Sequence, residues 1–180
     1  MKVLSIQPTP NPNAYKFFLD RTLTSRPREI ASADRAGDDP LATALFAIDG
    51  VKTLFFMDDF VTVTWEDAAD WRAVTERVRA TLEQHEPPRA VAHGLPEGGT
   101  AEVDDQELME RIQAVLDDRV RPALAGDGGG LEVVGLEAKV LRIRYQGACG
   151  SCPSSIAGTL MAIQNMLQSE VDEELQVISA

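Results

Sequence analysis

Residues 140–168 read VLRIRYQGACGSCPSSIAGTLMAIQNMLQ, and the hydrophobic period changes in the middle of the stretch. From Val140 to Gln146 the apolar Leu141, Ile143 and Tyr145 alternate with Arg142, Arg144 and Gln146, the pattern of a strand with one buried face. Ile156, Leu160, Ile163 and Leu167 then recur along one face of a helix. Between the two periods stands Gly147-Ala148-Cys149-Gly150-Ser151-Cys152-Pro153-Ser154-Ser155. Proline is well tolerated at the first helical position, so Cys152 is expected at or beside the helix N-cap. Unpaired N–H groups and the helix dipole favour negative charge there and lower the thiol pKa. Gly150 lets the chain fold tightly enough for both sulfurs to point the same way.

A cysteine pair at this spacing serves zinc sites, thioredoxin-like dithiols and iron-sulfur sites alike. The ligand count narrows the choice. A tetrahedral zinc or a cubane cluster takes four protein ligands, whereas the chain holds two cysteines and two histidines, His85 and His93. Both histidines fall in or beside a Pro/Gly-rich segment too mobile to orient a ligand. Two copies with their loops face to face supply four thiolates, the complement of a 4Fe-4S cluster. Soft thiolates also select against magnesium and calcium.

The expectation is therefore a homodimer formed on cluster binding, with Cys149 and Cys152 of each copy as ligands. Such a centre lies at a subunit boundary within reach of incoming thiolates, which suits delivery to apo-proteins rather than catalysis, so no enzyme is expected. Two rivals stay open. One is a dithiol oxidoreductase in which Cys149 attacks a disulfide and Cys152 resolves it; the other is a structural zinc bridging a dimer. Against the oxidoreductase, the order helix, two strands, helix lacks the βαβ start of a thioredoxin-like domain.

The charge balance limits the partners. With 29 acidic against 17 basic residues and a net charge of -12, the chain repels a phosphate backbone and an anionic membrane surface, so nucleic acid is not expected as a partner. Apolar runs such as Thr53 to Met57 are far too short to span a bilayer. Met1 to Ile6 stops at Gln7-Pro8 before a secretory apolar core develops, and the expected location is cytoplasmic, where thiols stay reduced.

Working outward, residues 86–101 contain Pro87, Pro88, Gly94, Pro96, Gly98 and Gly99 and read as a flexible Pro/Gly linker. It separates a domain at residues 1–85 from one at residues 102–180. In the first, Lys2 to Ile6 and Ala14 to Leu19 are expected strands, Asp39-Pro40 opens a short helix, and Val51 to Met57 with Phe60 to Trp65 forms a hairpin. Val61, Val63 and Trp65 alternate with Thr62 and Thr64, so one face of that sheet is expected to be buried under a helix from about Asp67 to Gln84. In the second, Leu108 to Leu124 marks one helix, stopped by Gly126-Asp127-Gly128-Gly129-Gly130, and Leu131 to Leu136 precedes the strand already described. Leu175 to Ile178 adds an edge strand. The fold class is α+β: two small α/β sandwich domains with helices on one side of a short sheet.

Residues 108–180 resemble the NifU C-terminal, or Nfu-type, domain through Arg121-Pro122, Asp127-Gly128-Gly129, Leu141 to Arg144, Gln146 to Cys149 and Cys152 to Ser155. Residues 1–85 resemble the Nfu N-terminal domain through Thr9-Pro10-Asn11-Pro12-Asn13, Pro40-Leu41-Ala42, Leu45-Phe46 and Gly50-Val51 leading into Phe55-Phe56. The resemblance implies an iron-sulfur cluster assembly scaffold or carrier whose 4Fe-4S cluster bridges two subunits at positions matched by Cys149 and Cys152. It also implies exchange with upstream assembly proteins and apo recipients. Gly130 departs from the family pattern, which often carries an acidic residue there, and Gly150-Ser151 reverses a common Ser-Gly.

The remaining conspicuous residues have plain readings. The glycine run is a helix stop, since no Lys-Ser/Thr pair follows to grip phosphate. Trp65, Trp71, Phe55 and Phe56 are expected in the core, and Met161 and Met166 are packing residues. Asp172-Glu173-Glu174 is a solvated turn.

Overall fold

A computed structural model describes residues 1–66, 70–85, 103–151 and 153–180. The linker expected at 86–101, with His93, lies outside the described residues, as does Cys152.

The first half builds an antiparallel sheet in the order β1-β2-β5-β4-β3 from β1 (Val3–Pro8), β2 (Ala14–Leu19), β3 (Thr24–Ile30), β4 (Val51–Asp58) and β5 (Phe60–Trp65). Two helices cover one face, α1 (Pro40–Phe46) and α2 (Trp71–Gln84). Each starts on an aspartate whose carboxylate accepts from the next free backbone N–H groups, Asp39 from Leu41 and Ala42, Asp70 from Arg72 and Ala73. Phe17, Leu19, Leu54, Phe56, Val61, Val63 and Trp65 meet Leu41, Leu45, Val74, Val78 and Leu82 in one apolar cluster.

The strand β3 has no counterpart in the sequence expectation. Thr24-Ser25-Arg26-Pro27-Arg28-Glu29-Ile30 carries a proline and three charges and gives little apolar alternation. It is an outermost strand, where a residue without an N–H is tolerated. Ile30 reaches the core, and Arg28 bonds Asp39 at 2.7 Å, fixing the strand to the start of α1.

The second half has a three-stranded sheet, β6 (Gly129–Glu137), β7 (Val140–Gly147) and β8 (Gln176–Ser179), with β6 antiparallel and β8 parallel to β7. The helix α5 (Pro153–Glu170) joins β7 to β8. A βαβ unit is thus present at the end of the chain, although this half opens, as expected, on a helix and an antiparallel strand pair rather than on such a unit. The helix expected over 108–124 is broken into α3 (Val103–Val115), a π turn at Leu116–Val120, and α4 (Arg121–Gly126). Pro122 explains the break: it lacks an N–H and its ring crowds the carbonyl four residues back, which the wider turn relieves. Ile112, Leu116, Leu124, Leu141, Ile143, Ile163 and Leu167 form a second, separate core. The described fold is α+β.

Two expected core residues are placed differently. Trp71, the first residue of α2, is 45% exposed and lies flat on Tyr15, ring centroids 5.8 Å apart. Met161 is 66% exposed, since its position faces away from the stripe of Leu160, Ile163 and Leu167.

Candidate functional site

β7 ends at Gly147, and Cys149 follows in a short 3-10 turn, Ala148–Ser151, before α5 opens at Pro153. The strand-loop-helix setting expected for the cysteine pair is therefore present around Cys149, which is half-buried. Gly147 has a φ of 65°, a left-handed turn that a side chain would strain. That turn brings the cysteine back over the start of β6, where Gly129 pairs with Gly147. A Cβ on Gly129 would stand 2.7 Å from the Cys149 sulfur and 2.7 Å from the Gln146 carbonyl oxygen. The middle glycine of the run is thus more than a helix stop, because it makes room for the sulfur. Spacing along the sequence carries no sign of that.

Tyr145, on the same strand, buries its hydroxyl without a hydrogen-bond partner. Burial, and then the nearby Cys149 sulfur, push the phenol up to about 12.

The first half is part of this site. Lys16 of β2 stands opposite Thr62 of β5, Thr62 opposite Phe55 of β4, and Phe55 opposite Glu29 of β3, so these four side chains form one row across the sheet. They lie on the face turned away from α1 and α2. Each meets the second half. Lys16 donates to the carbonyl oxygens of Ala125 and Gly126 at 2.9 and 3.0 Å, at the C-terminal end of α4, where a cation suits the helix dipole. The Thr62 hydroxyl is 3.1 Å from where a Cβ on Gly128 would be. The Phe55 ring lies against Gly130 and Gly147, 3.0 and 2.9 Å from Cβ atoms placed there. The Gly147 N–H donates to the Glu29 carboxylate at 2.9 Å, and Asn11 donates to the Ala148 carbonyl at 3.2 Å.

The sheet face opposite the helices is therefore covered as well: Thr62 and Thr64 are 0% and 2% exposed. Burial raises the Glu29 pKa, opposed by the Gly147 N–H and Arg144 and assisted by Glu132. Burial lowers that of Lys16, opposed by Asp127 and Asp59. The departure at Gly130 has a physical counterpart, since an acidic side chain there would press on the Phe55 ring.

A cavity of about 280 Å³ opens between the halves, lined by Pro10, Asn11, Asp127, Ala148, Cys149 and Thr159. Cys149 offers a soft sulfur donor, and no group of three or more His, Cys, Asp or Glu able to hold a metal occurs among the described residues. His85 is remote from the loop; its ring bonds the Thr81 carbonyl at 2.9 Å in the last turn of α2.

Fold and site together define a small α+β protein built around a sulfur-bearing strand-to-helix loop. Residues 4–87 match the model for the Nfu/NifU scaffold protein N-terminal domain, and residues 112–178 match that for the NifU-like domain. The NFU1 iron-sulfur cluster scaffold homolog, mitochondrial, of Homo sapiens is 37% identical over 179 residues, covering 94% of this chain and 68% of that protein. The protein of the same name from Drosophila erecta is 35% identical over 175 residues, covering 94% of this chain and 62% of its own length. A solution structure of a NifU-like protein from Saccharomyces cerevisiae shares 26% identity with a TM-score of 0.40, covering 46% of this chain and 77% of that one. The chain belongs to the Nfu/NifU family of scaffold proteins. It spans about two thirds of the length of the human and fly relatives. No described helix is long and apolar enough to cross a membrane.

Proposed function

We propose that this chain is an iron-sulfur cluster carrier in which Cys149 and Cys152 of two copies hold one 4Fe-4S cluster and release it to apo-proteins. The carrying observation is the donor set: two cysteines in the chain, against a cluster that takes four thiolates. Cys149 sits in a turn between a strand end and a helix start, where N–H groups and the helix dipole favour anionic sulfur. The cluster is cargo here, and the chain works as a scaffold with no catalytic step of its own. Upstream assembly proteins would supply the cluster, and neither nucleic acid nor membrane enters the cycle. Residues 1–85 and 102–180 act as two domains joined by the segment at 86–101. The relatives are named as mitochondrial, which does not match the cytoplasmic expectation; the compartment proposed is simply one that keeps thiols reduced.

Anaerobic reconstitution, with iron and sulfide counting, Mössbauer spectra and native mass, tests this. A dimer with four irons and four sulfides is expected, and Cys149→Ala or Cys152→Ala abolishes loading while the fold persists. A loaded monomer with no outside thiol, or full iron in either variant, overturns it.

The β7-α5-β8 unit with Cys149 at its strand-to-helix turn favours one alternative, a dithiol oxidoreductase. That reading requires disulfide exchange by metal-free protein, with loss of activity in either variant.

A further inference from the structure

The row Lys16, Thr62, Phe55 and Glu29 mixes two charged groups, a hydroxyl and one aromatic ring, and it is pressed against the glycine turn after α4 and the end of β7, which flank Cys149. The contact has the character of a separable one. The hydroxyls of Thr62 and Thr64 are buried without hydrogen-bond partners, and the charged ends of Lys16 and Glu29 give up water to reach main-chain groups. Each such group opposes closure and offsets part of what the Phe55 contact and the charge-assisted bonds contribute. The contact also has a direct consequence for the cysteine. Glu29 occupies the N–H of Gly147, two positions before Cys149, with a negative charge. Thiolates carrying a cluster are anionic and are stabilised by hydrogen-bond donors around the sulfurs. A carboxylate bonded to the end of β7 competes for those donors and repels the load. Pro10 and Asn11, meanwhile, wall the cavity onto which Cys149 opens, on ground that a second copy's loop must share.

We infer that this row is a reversible docking face for the chain's own cysteine loop, closed in the unloaded protein and released when a cluster is taken up between two copies. The release rests on the carrier reading above; the docking in the unloaded chain does not.

Hydrogen exchange and site-resolved alkylation of Cys149 in the full chain test both parts. In unloaded wild type the Gly147 amide, which donates to Glu29, is protected and Cys149 reacts slowly. Lys16→Glu, which sets a carboxylate against two carbonyl oxygens, and Gly130→Asp, which pushes on Phe55 from the other side, each speed both readouts by about tenfold, the loss of one charge-assisted contact. Retention of the two separate cores is checked by the slowest-exchanging amides of α2 and α5. Loading the wild type removes protection from the Gly147 amide. Unchanged alkylation and exchange in both variants overturns the docking. Undiminished protection in a fully loaded protein overturns the release. If wild type takes up no iron at all, the carrier reading fails and the release fails with it, while the variants still decide the docking.

Discussion

The sulfur of Cys149 lies over the backbone of Gly129, so close that a Cβ on Gly129 would come within 2.7 Å of it. The same Cβ would meet the Gln146 carbonyl oxygen, which belongs to the sheet and cannot swing aside. Gly129→Ala therefore forces the loop outward. The expected cost is about 1–3 kcal/mol, the usual range for overpacking, read from urea denaturation. Iron per protein after reconstitution falls with it, and a variant that loads as well as wild type would separate the glycine from the site.

Removing the cargo should undo the pairing. If four thiolates from two chains hold one cluster, treatment of loaded protein with a strong iron chelator returns the native mass from dimer to monomer, without intermediate metal content. A dimer that survives complete loss of iron would mean that the protein surfaces, not the cluster, hold the copies together.

Glu29 gives the closed arrangement a pH dependence of definite sign. Its pKa is raised by burial, so the closed state binds a proton more readily than the open one. Closure is strongest below the ordinary carboxylate range and weakens as pH rises through the raised value. Arg144 and Glu132, which also face the group, shift the midpoint without changing the sign. The Gly147 amide resonance should titrate with the Glu29 carboxyl carbon, and Glu29→Gln should abolish the transition.

Tyr145 carries an unpaired hydroxyl into the second core. Tyr145→Phe removes that group and keeps the ring, so the second half should gain about 1 kcal/mol, the lower end of the penalty for a buried unsatisfied polar atom. Denaturation of the unloaded protein measures it. A loss of stability would show that the hydroxyl finds a partner after all.

The elements that depend on period were legible in the sequence. Ala14–Leu19, the Val51–Trp65 hairpin and the helix carrying Ile163 and Leu167 all announce themselves by which side chains alternate. The strand holding Glu29 was not legible, because its charges and proline carry no period; it exists through pairing with Phe55 and Phe56 across the sheet. The break at Leu116–Val120 also escaped, since the apolar positions on either side keep helical spacing and only the backbone is altered. For the candidate site, spacing singled out the cysteine-bearing loop, whereas the surroundings of Cys149 come from distant residues. Gly129, Asn11 and Glu29 meet it only after both sheets have formed, and the mutual approach of two sheets leaves no local trace.

Pro27 on the outermost strand interrupts the row of donors that a neighbouring polypeptide would need to extend the sheet. Arg26 and Arg28 stand on either side of it. Aggregation by strand addition is thereby discouraged along that border, and a molecule whose work depends on brief encounters stays dispersed between them.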